Sequence, residues 1–286
     1  MQKRIHLFAI VALCAAMPLA AAGMPETQAN NTNPKVAVSI VPQATFVKQV
    51  GQSKVTVSTE IPPGASPETY EPTPRQMADL EDAQLYFSIG VPTEKSAILP
   101  KLPANMKVVD QAAACRQQYP DRKMGDGRDP HIWLSPKRAE VMVNQIADEL
   151  SKIDSDNATF YKANAKAYIG KIEAASTQIK GILFQTESKT FIVYHPAFGY
   201  FADDFGLKMY ALEEEGKDAS PQHMAQMVDL AKQEGCKVIF YQAEIDSRQA
   251  QAFAEEIGGK AVQLDPLSGD YVNNLVKMAN TFKETL

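Results

Sequence analysis

No cluster of Lys or Arg and no basic face stands out anywhere in this 286-residue chain, which removes nucleic acid as an expected partner. Beyond the N-terminal region no apolar run approaches the ~20 residues a helix needs to cross a bilayer. Histidine is scarce, with four in the whole sequence, and cysteine scarcer, with three. Cys115 and Cys236 lie well inside the chain; a disulfide between them and two separate buried thiols both fit the sequence. Little else looks like chemistry, so the few groups that can bind or react carry the functional reading.

The N-terminus is expected to be an export leader over residues 1–22. Lys3 and Arg4 supply its positive start, Leu7 to Leu19 its apolar run, and Ala20-Ala21-Ala22 a cleavage site before Gly23. An alternative, lipid attachment through Cys14, meets Leu13 where a small residue is required. The expected location is therefore periplasmic. Loss of Lys3 and Arg4 with the leader takes the 29 basic residues to 27 against 34 acidic ones, a net charge of about −7. Residues 23–34 are polar and aperiodic and are expected to form a disordered lead-in.

From Lys35 onward, strand and helix patterns alternate. Val36–Val41, Val55–Ile61, Gln84–Ile89 and Met106–Val109 are short runs of buried-strand type, with a helix through Phe46 and Val50 and a short one near Gln76 to Glu81. Residues 115–130 are polar, contain Gly and Pro, and are expected to form a loop. Ser135-Pro136 opens a helix carrying Val141, Ile146 and Leu150. A Pro-free stretch from Ala158 to Phe184 puts Tyr161, Tyr168, Ile172, Ile179 and Leu183 on one side of a helix roughly 40 Å long.

Alternation then resumes, with strands at Thr190–Tyr194, Lys208–Leu212, Lys237–Tyr241 and Ala261–Leu264. Ser220-Pro221 and Asp246-Ser247 open helices between them, and a last helix runs from about Asp270 to Glu284. Such a pattern implies α/β architecture with parallel sheets covered by helices. The expected organisation is an N-terminal α/β lobe over 35–155, a connecting helix over 156–186 and a C-terminal α/β lobe over 187–286, with a site in the cleft between lobes.

Four Pro-containing segments each offer one metal-competent side chain: Glu68 in ETYEPTP, His131 in DPHIWLSP, His195 in YHPAFGY and Asp265 in LDPL. Each follows a strand, at the sheet ends where open parallel sheets bind ligands. Singly, each has an ordinary structural reading. A histidine before a helix is a cap or a satisfied core group, Asp before Pro starts a turn, and Glu in a loop is solvated. Their shared topological position favours a site: two imidazoles and two carboxylates suit a divalent transition ion, whose charge the acids would balance. Calcium, which prefers an all-oxygen cage, is disfavoured. His223, on the helix after Ser220, reads as a surface or cap-proximal residue, and Trp133, Tyr194, Phe198 and Tyr200 as walls of the site.

The four motifs together resemble the ZnuA/TroA-like metal-binding proteins of bacterial ABC importers, over essentially the whole chain from Val36. The resemblance implies two lobes on a rigid connecting helix, Glu68, His131, His195 and Asp265 as metal ligands, zinc or manganese (with iron open) as the bound ion, and an ABC permease as partner. It implies a monomeric binding protein and no enzyme. Glu68 stands where that family usually has His, and residues 115–130 hold none of the histidines that zinc-specific members often carry in a long loop. Both departures leave zinc, manganese and iron open. The long link is expected to limit hinge opening, leaving small motions in second-lobe loops. A metallohydrolase using the same ligands, with an open coordination position and Glu213, Glu214 or Glu215 as base, is the alternative. A surface adhesin would need an interaction surface that the sequence does not display.

Overall fold

The computed structural model describes residues 33–213, 219–244 and 248–286. The expected leader and most of the expected lead-in fall outside these residues, as do Glu214, Glu215 and the Asp246-Ser247 start of a helix. Asn33 to Leu286 form one compact unit.

Two four-stranded parallel sheets organise that unit. The first contains β1 (Lys35–Val38), β2 (Thr56–Thr59), β3 (Leu85–Ser88) and β4 (Lys107–Asp110), in the order β2-β1-β3-β4. A two-residue-stranded antiparallel hairpin, β5 (Lys123–Met124) with β6 (Gly127–Arg128), follows it. The second sheet contains β7 (Thr190–Val193), β8 (Lys208–Ala211), β9 (Val238–Gln242) and β10 (Lys260–Leu264), in the order β10-β9-β7-β8. In each sheet the chain runs to one neighbour of the first strand and then crosses to the other side. That reversal creates the crevice where open α/β sheets take ligands.

Helices cover the sheets: α1 (Val41–Gly51), α2 (Pro74–Asp79), α3 (Gln111–Arg116), α4 (Pro136–Ile153), α5 (Ala158–Phe184), α6 (Gly199–Phe205), α7 (Pro221–Glu234), α8 (Arg248–Glu256) and α9 (Tyr271–Thr285). Their starts follow local chemistry. Ser135 caps α4 by accepting the Arg138 N–H, with Pro136 in the first turn, and Ser220 does the same for α7 through His223. Thr73 and Gln76 form a capping box on α2.

Helix α5 buries Tyr161, Ala165, Tyr168, Ile172, Ala175, Ile179 and Leu183, a single stripe at helical spacing. It packs along α1 and α4 from the first half and α9 from the second, so one helix spans both sheets. The core runs continuously from Val36 to Phe282, where Phe191, Phe198, Phe201 and Phe240 surround the Phe282 ring. No described helix is long and apolar enough to cross a membrane. Residues 115–130 differ from the expected uniform loop: they contain the end of α3 and the hairpin. Cys115 is buried and Cys236 half-buried, both as free thiols, with Cys115 Sγ against Arg138 C=O and Cys236 Sγ against Thr190 C=O.

Glu94 lies fully buried at the carboxyl ends of β1 and β3. Its carboxyl accepts the Ile89 N–H at 2.8 Å, the Gly90 N–H at 2.6 Å and the Ser39 hydroxyl, and Ser39 in turn meets Tyr86 at 2.7 Å. Burial pushes this carboxyl up to about 7, and buried Glu60 likewise. An acid that holds its proton more tightly when folded stabilises the fold fully at low pH and loses that contribution as pH rises through the folded value. Stability is therefore expected to fall between pH 5 and pH 7, Glu94 contributing about 2 kcal/mol. Urea denaturation at both values checks this; Glu94→Gln should flatten the decline, and an unchanged slope in that variant would contradict the assignment.

Candidate metal centre

Glu68 sits in the segment between β2 and α2, and that segment is pinned at several points. Ser66 Oγ accepts the Glu68 N–H at 3.2 Å, Pro67 C=O accepts the Thr93 N–H at 3.1 Å, and Thr93 Oγ1 donates to Tyr70 C=O at 3.1 Å. The Glu68 side chain remains about a quarter exposed (26%), facing a cleft.

His131 is buried and held by its own motif. Asp129 Oδ1 accepts the His131 backbone N–H at 2.9 Å and lies 2.8 Å from its Nδ1. Asp129 is itself supported from the second half of the chain. Tyr200 Oη donates to the Asp129 carbonyl at 3.2 Å and accepts the Arg122 N–H at 2.8 Å. Arg128 ties the same stretch to β3 by donating to Ile89 C=O at 2.7 Å. Its guanidinium lies against Gly90, where φ is 89° and a Cβ would sit 2.1 Å from Arg128 Nη2, so only glycine serves both the turn and the contact.

His195 follows β7 directly and is also buried. Its Nδ1 lies 2.7 Å from Glu213 Oε2, and its Nε2 lies 3.2 Å from His131 Nε2. Glu68 Oε1 completes a triangle, 3.7 Å from His195 Nε2 and 4.0 Å from His131 Nε2. Glu68, His131 and His195 are the group among the described residues whose ligand atoms all lie within 4.8 Å of one another. Two ligands about 2.05 Å from a tetrahedral ion stand about 3.3 Å apart, so the imidazole pair already has the spacing of one coordination edge. The carboxylate would close by a few tenths of an ångström.

Asp265 stands outside this triangle. It is exposed, its Oδ1 accepts the Leu267 N–H at 3.1 Å, and its carbonyl accepts from Asn274 at 2.7 Å. Strand β9 separates β10 from β7, which puts the Asp265 backbone two strand spacings from that of His195. Asp265 lines a cavity of about 410 Å³ with Glu244, whose carboxyl is pushed up by burial and by the Asp265 charge. The two segments are nonetheless joined, because Trp133 Nε1 donates to Pro266 C=O at 2.8 Å and Tyr271 donates to Trp133 C=O at 2.6 Å.

Of the expected wall residues, Trp133 packs on the His131 ring at 5.1 Å between centroids. Tyr200 buttresses Asp129, Phe198 packs on Phe282 in the core, and Tyr194 is buried in the second-sheet cluster. His223 lies apart, its Nε2 3.2 Å from Ala211 C=O. Sequence reasoning missed the roles of Asp129 and Glu213. The signal for Asp129 was its place two residues before His131; the signal for Glu213 was its place after β8, next to β7. A cleft of about 280 Å³, lined by Glu68, Met124, Asp126, His195, Pro196 and Glu213, leads to the triangle.

The family model described as ZnuA, zinc-uptake complex component A periplasmic, matches residues 36–285. The chain is 31% identical to the high-affinity zinc uptake system protein ZnuA of Bacillus subtilis, over 82% of this chain and 78% of that protein. It is 30% identical to the zinc-binding protein AdcA of Streptococcus pyogenes serotype M6, over 82% of this chain but only 50% of that relative's length. A crystal structure of a ZnuA superposes with a TM-score of 0.84 at 35% identity, over 89% of this chain and 99% of that one.

Proposed function

This chain belongs to the ZnuA family of periplasmic zinc-uptake components, and from that premise we propose that it captures a divalent transition ion and delivers it to an ABC permease. The observation that carries the reading is the triangle of Glu68 Oε1 and two imidazole Nε2 atoms, 3.2 to 4.0 Å apart at the end of a cleft. Two nitrogens and an anionic oxygen suit zinc or manganese and leave iron open.

In this reading Glu68, His131 and His195 meet the ion first and Asp265 completes the sphere. The support for Asp265 is its place at the carboxyl end of β10 and the Trp133–Pro266 link to the His131 segment. The ligands then come from a first lobe at 35–155 and a second at 187–286, with α5 between them as a stiff connector. An export leader at 1–22 would put the protein in the periplasm, where a monomer would shuttle between free ion and permease. Cross-links near the site, Arg122 to Asp203 at 2.8 Å and Ser135 to Asp204 at 2.5 Å, favour small loop motions over wide lobe closure.

The alternative of hydrolysis takes Glu213, Glu214 or Glu215 as base; Glu214 and Glu215 lie outside the described residues, which leaves Glu213. That carboxylate is engaged with His195 Nδ1, and the three relatives above carry no hydrolase name.

Calorimetric titration with zinc, and with manganese in competition, tests the proposal. One ion per chain is expected at pH 7.5. Because protons and the ion compete for the same ligand atoms, affinity should be lower at pH 5. Asp265→Ala should weaken binding less than loss of either histidine. Unchanged affinity at pH 5 would count against ligation by the imidazoles.

A further inference from the structure

We propose that Glu213 is a positioning residue for metal capture: it locks the His195 ring with hydrogen on Nδ1, so that the Nε2 lone pair faces the coordination point before any ion arrives. The inference rests on the metal-site reading and adds a residue that the ligand motifs do not include.

The argument begins with the arrangement at the ends of two neighbouring strands. β7 and β8 pair in parallel, with Val193 opposite Ala211, and the Glu213 N–H continues the ladder by donating to Tyr194 C=O at 2.9 Å. The backbone thus fixes Glu213 beside His195, and the side chains meet at 2.7 Å. The Glu213 carboxylate is only 9% exposed, and among the described residues no Lys or Arg lies within ion-pair distance of it. A buried carboxylate is costly unless its oxygens accept hydrogen bonds. An ionised carboxylate can only accept, so Nδ1 is the donor, and in the neutral ring Nε2 is then the bare nitrogen.

A neutral imidazole otherwise divides between two tautomers, and the one with hydrogen on Nε2 cannot bind a metal through that atom. The companion ring shows the same construction. Asp129 Oδ1 already accepts the His131 backbone N–H and therefore acts as acceptor toward His131 Nδ1 as well. The two Nε2 atoms face each other at 3.2 Å, the spacing of one coordination edge, while both Nδ1 atoms are turned to carboxylates. Glu213 thereby holds one ring with its Nε2 toward the coordination point, and a carboxylate behind an imidazole also raises its basicity as a ligand. Glu213 further lines the approach cleft beside Glu68 and Asp126, where its charge attracts cations.

The test pairs Glu213→Ala with Glu213→Gln in the otherwise unaltered chain. Zinc affinity is read by competition with a chromophoric chelator, and the His195 tautomer by long-range proton–nitrogen NMR of the metal-free protein at pH 7.5. Wild type should show protonated Nδ1 and bare Nε2. Glu213→Gln, whose amide oxygen still accepts the Nδ1 hydrogen, should keep the tautomer and stay within about fivefold of wild-type affinity. Glu213→Ala should show mixed tautomers and bind zinc roughly 10- to 50-fold more weakly. Thermal melts of both variants separate this from loss of fold, and the glutamine variant carries the test if the alanine variant is unstable: a tautomer with hydrogen on Nε2 in wild type, or in folded Glu213→Gln, overturns the proposal. Wild-type affinity and an unmixed tautomer in Glu213→Ala overturn it too. If His195→Ala also binds zinc normally, the metal-site reading itself fails; if only the Glu213 variants are silent, this inference alone fails.

Discussion

Alanine at His131 or at His195 is expected to weaken zinc binding by about 1,000-fold each, or about 4 kcal/mol. Each imidazole is buried, supplies its Nε2 to the shared point, and has its Nδ1 engaged by a carboxylate, so no rotation of a neighbouring side chain restores the missing donor. Removing either ring leaves one nitrogen with the carboxylate oxygens of Glu68 and Asp265, an incomplete set that has lost one of its two imidazoles. The double variant should lose less than the sum of the two, because after the first loss the remaining ring no longer belongs to a complete coordination set. Competition titrations of the two single variants and the double variant check both statements. Wild-type affinity in both single variants would show that the ion binds elsewhere.

Glu68→His should raise the zinc-over-manganese preference by about 100-fold. The substitution replaces the anionic oxygen of the triangle by a third nitrogen, and manganese depends more on oxygen donors than zinc does. Room exists for the change, since Glu68 faces the 280 Å³ cleft and stands 3.7 and 4.0 Å from the two Nε2 atoms, slightly outside coordination spacing. Parallel titrations of wild type and Glu68→His with both ions give the ratio. An unchanged ratio, together with unchanged affinity in Glu68→Ala, would remove Glu68 from the coordination set.

Those two substitutions probe the features that were plainest in the sequence. The 158–184 helix was legible because it lacks proline and repeats its apolar residues at helical spacing, and the strands were legible to within a few residues because they are short β-branched and aromatic runs between turns. Helix α6 was missed because seven residues after a Pro- and Gly-containing stretch carry no full period. The 123–128 hairpin was missed because Lys-Met and Gly-Arg have no alternation to read.

At the site, Glu68, His131 and His195 announced themselves by composition and by their places after strands. What could not be read was which carboxylate stands behind the His195 ring. That depends on β8 lying beside β7 while β9 separates β10 from it, so that Glu213 reaches His195 and Asp265 takes a position on another cavity. Strand order is a tertiary fact, and local patterns do not encode it.

The central claim is that one ion sits between His131 and His195 with carboxylate oxygen completing its sphere. X-ray absorption at the zinc edge of the protein loaded with one equivalent measures this directly. The account predicts two imidazole nitrogens and one or two carboxylate oxygens at about 2.0–2.2 Å, without sulfur, and loss of one imidazole contribution in His195→Ala. A first shell containing sulfur at about 2.3 Å, or one with no imidazole scattering, would contradict it.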